Sequence, residues 1–202
     1  MKKQTILLVL LALCLAVTGA LAETAETTEK DAYENADFGY GFSLDGWHAL
    51  TGEEIGLSVK AAGQVLDEET VKTAEAGMEH MLLVATAAGL QTVELAVEDL
   101  GGDTETTYEQ GIVSGDVLAG KLEEIKAQLE ATGFSNLQAE VADTVLGGQP
   151  CQCILAQFDM LGYPCFMKLV CVARDRSLYT INAMSMISDQ TEEVMARFYP
   201  LQ

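Results

Sequence analysis

The sequence predicts an α+β fold in which a single antiparallel sheet of about seven strands has helices packed on it. Segments that alternate large apolar residues with small or polar ones indicate strands, and segments whose apolar residues recur every three to four positions indicate helices. Short links that contain Gly, Pro or Asp join the later strand segments, which favours antiparallel neighbours.

The composition suits one folded domain. Of the 202 residues, 49% are hydrophobic and 21% are charged, which is typical of a globular domain and not of a disordered chain. The 31 acidic and 11 basic side chains give a formal net charge of −20, so most of the surface should repel phosphate groups. We therefore expect no binding to nucleic acid.

Residues 1–22 have the pattern of a signal peptide. Lys2 and Lys3 form a positive start, and the apolar run Ile6–Val17 leads to a small-residue cleavage site that ends at Ala22. A run of about 12 apolar residues is too short to cross a hydrocarbon core of ~30 Å. We expect secretion after cleavage and no membrane insertion of the cleaved chain.

A lipoprotein anchor at Cys14 is the less favoured alternative for this segment. Acylation of a bacterial lipoprotein cysteine normally follows a small residue, whereas bulky Leu13 precedes Cys14 here. Secretion in free form remains the preferred interpretation.

The cleaved chain is predicted to have two parts. Residues 23–37 are acidic and contain almost no large aliphatic side chains, which predicts a disordered leader. Residues 38–202 are predicted to form the single α+β domain.

The first half of this domain is predicted to contain one strand, two helices and a hairpin. A turn at Asp45 and Gly46 separates the first strand from Trp47. In the second strand of the hairpin, alternation predicts that Val93, Leu95 and Val97 face inward and Glu94, Ala96 and Glu98 face outward. The predicted elements are Phe38–Leu44, the helices Gly52–Ala62 and Glu68–His80, and the hairpin strands Met81–Thr86 and Thr92–Glu98.

The second half is predicted to contain a long helix, four strands and a last helix. The helix Val117–Thr132 carries apolar residues at four-three-four spacing. The last helix begins at Asp189, with Glu192 expected to complete its cap. The predicted strands are Leu137–Leu146, Cys151–Phe158, Cys165–Ala173 and Leu178–Ala183.

The order of these elements resembles the PsbP-like fold superfamily. The resemblance rests on the Phe/Tyr-rich strand before Trp47, the segment MLLVATAAGLQTVELAVEDLG, the Gly147-Gly148 turn and a last helix ending near Phe198. That superfamily contains many exported bacterial proteins of unassigned function. The resemblance implies a fold and an exported protein, and it implies no catalytic or ligand residues.

Four cysteines remain after removal of the signal peptide. Cys151, Cys153, Cys165 and Cys171 are all odd-numbered, so a turn that placed odd opposite odd would bring them to one face of the sheet. Reduced core thiols are the favoured interpretation, with a disulfide such as Cys153–Cys171 as the main alternative and a zinc site as a minor one.

No catalytic, cofactor or metal-binding motif occurs in the sequence, so we predict no enzyme activity, no cofactor and no metal. Trp47, His48 and Tyr40 are the candidate lining of a ligand pocket, although aromatic residues at a strand end are more often core. We expect a secreted binding module for a protein, peptide or small ligand. A hydrolase with a dispersed site and an envelope structural protein whose acidic surface holds calcium remain alternatives, and the oligomeric state stays open. The acidic loop Glu98–Glu105 offers oxygen ligands but matches no twelve-residue calcium loop, so a solvated loop is the favoured interpretation.

Overall fold

The computed structural model describes residues 31–62, 68–88, 90–100, 108–131, 134–160 and 162–201. The strands within these ranges are β1 Ala32–Asn35, β2 Tyr40–Ser43, β3 Trp47–Ala49, β4 Met81–Ala87, β5 Gln91–Asp99, β6 Gly111–Ile112, β7 Ser135–Leu146, β8 Gln149–Met160, β9 Tyr163–Arg174, β10 Ser177–Met186 and β11 Phe198–Pro200. The helices are α1 Gly52–Ala62, α2 Glu68–Gly77, α3 Asp116–Ala131 and α4 Thr191–Met195, and a 3₁₀ turn spans Met78–His80.

The strands form two antiparallel sheets, so the prediction of a single sheet of about seven strands is wrong. The large sheet has eight strands in the order β3-β4-β5-β10-β9-β8-β7, and β6 pairs with the end of β9. The small sheet has the order β1-β2-β11. The pairing of β2 with β11 joins the two ends of the described chain, and no local sequence pattern reports such a distant contact. The prediction of an antiparallel α+β fold is confirmed.

Strand β1 lies within residues 23–37, the segment predicted to be a disordered leader. Because residues 32–35 form a paired strand, the prediction of disorder is wrong for this part of the segment. Tyr33 packs against the core beneath the small sheet. The Asn35 side-chain oxygen accepts a hydrogen bond from the Phe38 amide at 2.9 Å, which stabilises the turn into β2. The predicted signal peptide and leader residues 23–30 lie outside the described residues.

Most local elements lie where the sequence predicts them. Helix α1 has the predicted bounds, β4 and β5 form the predicted hairpin, and β7 to β10 form the predicted antiparallel meander. The last helix is shorter than expected. It ends at Met195, and Phe198, which was expected near its end, belongs to β11. Asp189 accepts a hydrogen bond from the Thr191 amide at 3.0 Å, but Glu192 contacts Lys168 instead of completing the cap.

The central strands of the large sheet are covered on both faces, whereas the edge strand β7 is partly exposed. On one face, here called the helix face, α3 inserts Leu118, Ile125 and Leu129 against strands β8 to β10, and α1 and α2 cover Val84 of β4. On the other face, here called the small-sheet face, the small sheet and α4 build a second core. Its members include Phe42, Trp47, Leu95, Val170, Ile181, Val194 and Phe198.

Two covered faces give the molecule three layers, with the large sheet in the middle. Within the ranges given above, no helix has both the length and the apolar character needed to cross a bilayer.

Candidate functional site

Polar side chains cross the helix face of the large sheet from β3 to β10. The strand pairing places His48 opposite Thr86, Thr86 opposite Thr92, and Glu94 opposite Asn182. Directly opposed residues of antiparallel strands point to the same side, and Thr92 and Glu94 are two residues apart on β5, so all five share one face. We call these five residues the polar stripe.

The polar stripe is deeply buried at its centre. Glu94 and Asn182 are each 1% exposed, and Thr92 is 3% exposed. Five buried side-chain atoms lack a hydrogen-bond partner in the described part of the chain: Nδ1 of His48, Oε1 and Oε2 of Glu94, and Nδ2 and Oδ1 of Asn182. Each such atom costs about 1–3 kcal/mol of stability. All five therefore belong to one stripe.

The burial of Glu94 corrects the expectation that it faces solvent. Alternation separates the two sides of β5 correctly, since Val93 and Leu95 belong to the core of the small-sheet face. The prediction failed because it assumed that one side of the hairpin meets water. When both faces of a sheet are covered, the polar residues of the alternating pattern are buried too.

The inner end of the polar stripe lies between two apolar clusters. Val84 stands directly opposite Glu94 on β4 and belongs to the cluster beneath α1 and α2. Leu169 stands directly opposite Asn182 on β9 and belongs to the cluster beneath α3. Glu94 and Asn182 thus lie between two apolar clusters, each of which is covered by helices.

The outer end of the polar stripe is fixed to the start of α1. His48 Nε2 and Glu54 Oε1 are 2.9 Å apart, and the two side chains are 18% and 25% exposed. The Thr51 amide donates to Glu54 Oε2 at 2.7 Å, and the Glu54 amide donates to the Thr51 hydroxyl at 3.3 Å. This reciprocal pair is a capping box, so Glu54 both starts the helix and orients His48.

The two carboxyl groups near the polar stripe have opposite electrostatic environments. Burial raises the pKa of Glu94 well above its usual value. Partial burial also acts to raise the pKa of Glu54, but hydrogen bonds from the Thr51 amide and from His48 outweigh it, so that the pKa lies below its usual value. Glu54 is therefore an ionised acceptor, and His48 directs the Nε2 proton toward it.

A groove with mostly apolar lining residues lies one strand away from Glu94, and none of the five polar-stripe residues lines it. It has a volume of about 470 Å³ and lies between β1, β4 and the start of α1. Ile55, Met78 and Val84 line it from the cluster beneath α1 and α2, so Val84 borders both the groove and Glu94. The volume falls within the range of small-molecule sites.

Of the three residues predicted to line a ligand pocket, only His48 belongs to the polar stripe. Trp47 faces the small-sheet side of β3, where its ring meets the Phe42 ring at 5.2 Å and the Arg197 guanidinium at 5.5 Å. Tyr40 lies in the small sheet with its ring 5.1 Å from that of Phe38. The polar stripe itself was missed, although His48, Thr86 and Thr92 stand at the facing ends of β3 and the predicted hairpin.

The four cysteines do not share one face of the sheet. The possible Cys153–Cys171 disulfide required odd residues of β8 to stand opposite odd residues of β9, and the observed register differs. Because the β8–β9 turn pairs Met160 with Tyr163, even residues of β8 stand opposite odd residues of β9. Cys171 therefore faces α3, whereas Cys153 faces the small sheet. All four described cysteines are free. Burial raises the pKa of the Cys153 and Cys171 thiols to about 11.

Metal ligands are not grouped in the ranges that the structure covers: no three His, Cys, Asp or Glu side chains there lie close enough together to hold an ion. Most of the loop considered for calcium, Glu98–Glu105, lies outside the described residues.

No family model and no curated protein matches the sequence. Among solved structures, the chain is similar to PA94, a protein of unknown function from Pseudomonas aeruginosa, with 10% identity and a TM-score of 0.31 over 47% of this chain and 58% of that one. It is also similar to LpqN, involved in cell envelope biogenesis of Mycobacterium tuberculosis, with 12% identity and a TM-score of 0.32 over 55% of this chain and 64% of that one. The chain spans less than two thirds of either structure.

Proposed function

We propose that the protein is a secreted, non-enzymatic binding module that holds a small ligand against the polar stripe. One observation carries this proposal: every unpartnered buried side-chain atom found in the described residues belongs to His48, Glu94 or Asn182. A ligand that supplies the missing hydrogen bonds would be held strongly, because buried polar groups gain most from a partner.

A purely structural role explains the polar stripe less well. Buried polar groups in native proteins are almost always paired, and apolar residues of similar size would pack at Glu94 and Asn182 without the cost of desolvation. Proteins keep such costly groups mainly where function needs them. The concentration of that cost in one stripe therefore supports a binding site.

The thiols support the non-enzymatic part of the proposal. A nucleophilic cysteine needs a lowered pKa, whereas burial raises the pKa of Cys153, Cys165 and Cys171 to about 11. His48 is already engaged by Glu54 at 2.9 Å. The secreted location and the PsbP-like fold belong to the same proposal, and they are supported by the signal-peptide pattern of residues 1–22 and by the order of elements.

The experiment compares ligand-induced thermal stabilisation of the natural protein with that of the double variant Glu94→Leu/Asn182→Leu. A panel of small amines, amides, carboxylates and sugars serves as the probe. We expect the double variant to be at least as stable without ligand and to lose the response to whichever probe stabilises the natural protein. The matched control is Glu140→Gln, at an exposed position of β7 in the same sheet.

Two results would contradict the proposal. One is a double variant that melts well below the natural protein, which would show that the two polar groups stabilise the fold. The other is an unchanged ligand response in the double variant. Mass spectrometry of the N-terminus of extracellular material tests secretion separately, since a chain that still begins at Met1 would refute cleavage after Ala22.

A further inference from the structure

An open strand edge forms one wall of the groove between β1, β4 and the start of α1. Among the described strands, β1 pairs only with β2 and is an outer strand of the small sheet. The Leu44 amide donates to the Asp31 carbonyl at 2.9 Å, and hydrogen-bonded pairs alternate with non-hydrogen-bonded pairs along an antiparallel ladder. The backbone N–H and C=O groups of Ala32 and Glu34 therefore point away from β2. Both residues line the groove.

The far side of β2 supports this assignment. Ser43 is the β2 partner of Ala32, and its amide donates to the Arg197 carbonyl at 3.1 Å, on the side away from β1. The Ser43–Ala32 pair is therefore not hydrogen-bonded across the β1–β2 ladder. It follows that the N–H of Ala32 is directed outward, where another strand can reach it.

A second open strand edge forms the floor of the groove. Strand β3 pairs with β4 only at Ala85–Ala87, and the Leu50 amide donates to the Val84 carbonyl at 2.8 Å. In the described part of the chain, Met81–Leu83 therefore have no strand beside them on the β3 side. A bulge within this stretch also leaves Leu82 without a partner on β5. The groove thus lies between two strand edges that are not paired with each other.

The lining of the groove suits apolar side chains. Met78, Met81 and Leu82 line it and are half-buried, and Ile55 closes it from α1. Methionine side chains are flexible and adapt to partners of different shape. A segment that pairs with β1 directs every second side chain to the same side, so its apolar residues can enter this space of about 470 Å³.

The rim of the groove is acidic. Glu34 lines it and is exposed, and no Lys or Arg occurs among the described lining residues. Asp31 and Glu53 are also exposed, and each is the chain neighbour of a lining residue, Ala32 or Gly52. A segment with apolar residues at its centre and basic residues at its ends complements this arrangement.

Charge opposes occupation of the groove by this chain itself. A second copy carries the same formal net charge of −20. Residues 23–30, ETAETTEK, precede β1 and contain three Glu and one Lys. The acidic rim repels both of these occupants.

We infer that the groove binds an extended apolar segment with basic ends from a partner protein, which pairs with β1 as a fourth strand of the small sheet. This site shares no residue with the polar stripe. The inference therefore goes beyond the proposed function, and the two can fail independently.

The probe is the synthetic peptide acetyl-KLVLK-amide, titrated into the isotope-labelled protein and followed by NMR. We expect saturable binding and about tenfold slower hydrogen exchange of the Ala32 and Glu34 amides, because strand pairing encloses them. The Tyr33 amide, which faces β2, should change little. Absence of saturation at about 1 mM peptide, or unchanged exchange at Ala32 and Glu34, would overturn the inference.

A proline at the open edge tests the backbone pairing. Ala32→Pro removes the outward N–H, and proline is tolerated on an edge strand where that N–H is not used in the sheet. It should weaken peptide binding about tenfold, whereas Ala32→Val, which keeps the N–H, should bind like the natural protein. Equal binding by Ala32→Pro and Ala32→Val would contradict strand pairing.

Methylated peptides make the same test on the natural protein, so it does not depend on the folding of Ala32→Pro. N-methylation of the Val amide blocks one edge of the peptide, and N-methylation of both Leu amides blocks the other edge. We expect one of these two peptides to lose about tenfold in affinity and the other to retain most of it. Two unaffected or two equally weakened peptides would refute pairing through a single edge.

Reversal of the charge tests the basic ends. Acetyl-ELVLE-amide should bind about tenfold more weakly than acetyl-KLVLK-amide, and Glu34→Lys should reduce this difference. Glu140→Gln, on the exposed part of β7, should leave the difference unchanged. Equal affinity of the two peptides for the natural protein would show that charge does not select the occupant.

The two other occupants give distinct results. A dimer in sedimentation experiments that acetyl-KLVLK-amide dissociates would show that a second copy fills the groove. In a monomer, slow exchange of the Ala32 and Glu34 amides before any peptide is added would show that another segment of this chain fills it. Either result would overturn the inference of a basic partner segment.

Discussion

Glu94 places a carboxyl group in the covered helix face, where its two oxygens have no hydrogen-bond partner among the described residues. Burial opposes ionisation and raises the pKa. A group whose pKa is raised in the folded state stabilises the fold fully only below its pKa in the unfolded chain. That contribution is lost as the pH rises toward the pKa of the folded state.

Glu94→Gln should therefore change how stability depends on pH. Gln cannot ionise, so the variant should gain stability relative to the natural protein as the pH rises above the usual range of a glutamate. The gain should be about 1.4 kcal/mol per pH unit until the pKa of the folded state is reached. Urea unfolding at a series of pH values measures it. Glu124→Gln, on the exposed side of α3, is the control, and parallel curves for all three proteins would refute the burial argument.

Lys168 is the buried cation of the small-sheet face. It is 4% exposed, and its ammonium contacts Glu192, whose side chain is 67% exposed. The contact joins α4 to β9, and the Thr144 hydroxyl on β7 lies 3.5 Å from the other Glu192 oxygen. The two partners are therefore unequal, because only Lys168 has lost its access to water.

Removal of the two partners should have unequal costs. Glu192→Ala leaves a buried ammonium without its partner and should cost about 1–3 kcal/mol. Lys168→Met leaves an exposed carboxylate that water can solvate, and should cost less or stabilise the protein. Urea unfolding of both variants measures the difference. A larger loss for Lys168→Met would show that the pair itself holds α4 in place.

At the scale of elements, the register of the β8–β9 hairpin determines which face of the sheet each cysteine occupies. The short turn that pairs Met160 with Tyr163 sends Cys151 and Cys153 toward the small sheet and Cys165 and Cys171 toward α3. The sheet backbone thus separates the two sets of thiols.

Alkylation without reductant should report this separation. In the native protein, Cys153, Cys165 and Cys171 should react slowly because they are buried and their pKa values are raised to about 11. Half-buried Cys151 should react first. After unfolding in denaturant, mass spectrometry should find a label on each of the four. Two missing labels would indicate a disulfide and a different register of β8 and β9.

At the scale of the whole molecule, the small sheet ties the two ends of the described chain together. Strand β11 pairs with β2, and Phe198 packs its ring 4.9 Å from that of Phe42, over the core that Trp47 and Leu95 share. This layer covers the second face of the large sheet. Together with the helices on the opposite face, this layer buries the central residues Thr92–Ala96 of β5 on both sides.

Phe198→Ala should therefore weaken the entire fold. Removal of a buried Phe ring typically costs about 3–5 kcal/mol, and this ring lies at the contact between the small sheet and the large one. Cooperative thermal unfolding measured by circular dichroism gives the loss. Tyr163→Ala, which removes an aromatic ring that is 56% exposed, is the matched control and should change stability little. Equal effects would show that the small sheet contributes little to folding.

Local elements were predictable because the signals that determine them lie close together in the sequence. The apolar spacing of α3 and the turn residues of the meander each act over a few residues. The predicted inward side of β5 was also correct for Val93 and Leu95. Of the predicted pocket, His48 alone belongs to the candidate site.

The sequence by itself determined the helices, the hairpins and which residues share a face of each strand. The tertiary structure alone decided that a second sheet forms from β1, β2 and β11, that Glu94 is buried opposite Asn182, and that Cys153 and Cys171 lie on opposite faces. The physical reason is that the alternating pattern of a strand assigns its residues to two faces, but it carries no information about which other segments cover those faces. Coverage depends on contacts between distant segments, and a register change of one residue exchanges the faces of a strand relative to its neighbour.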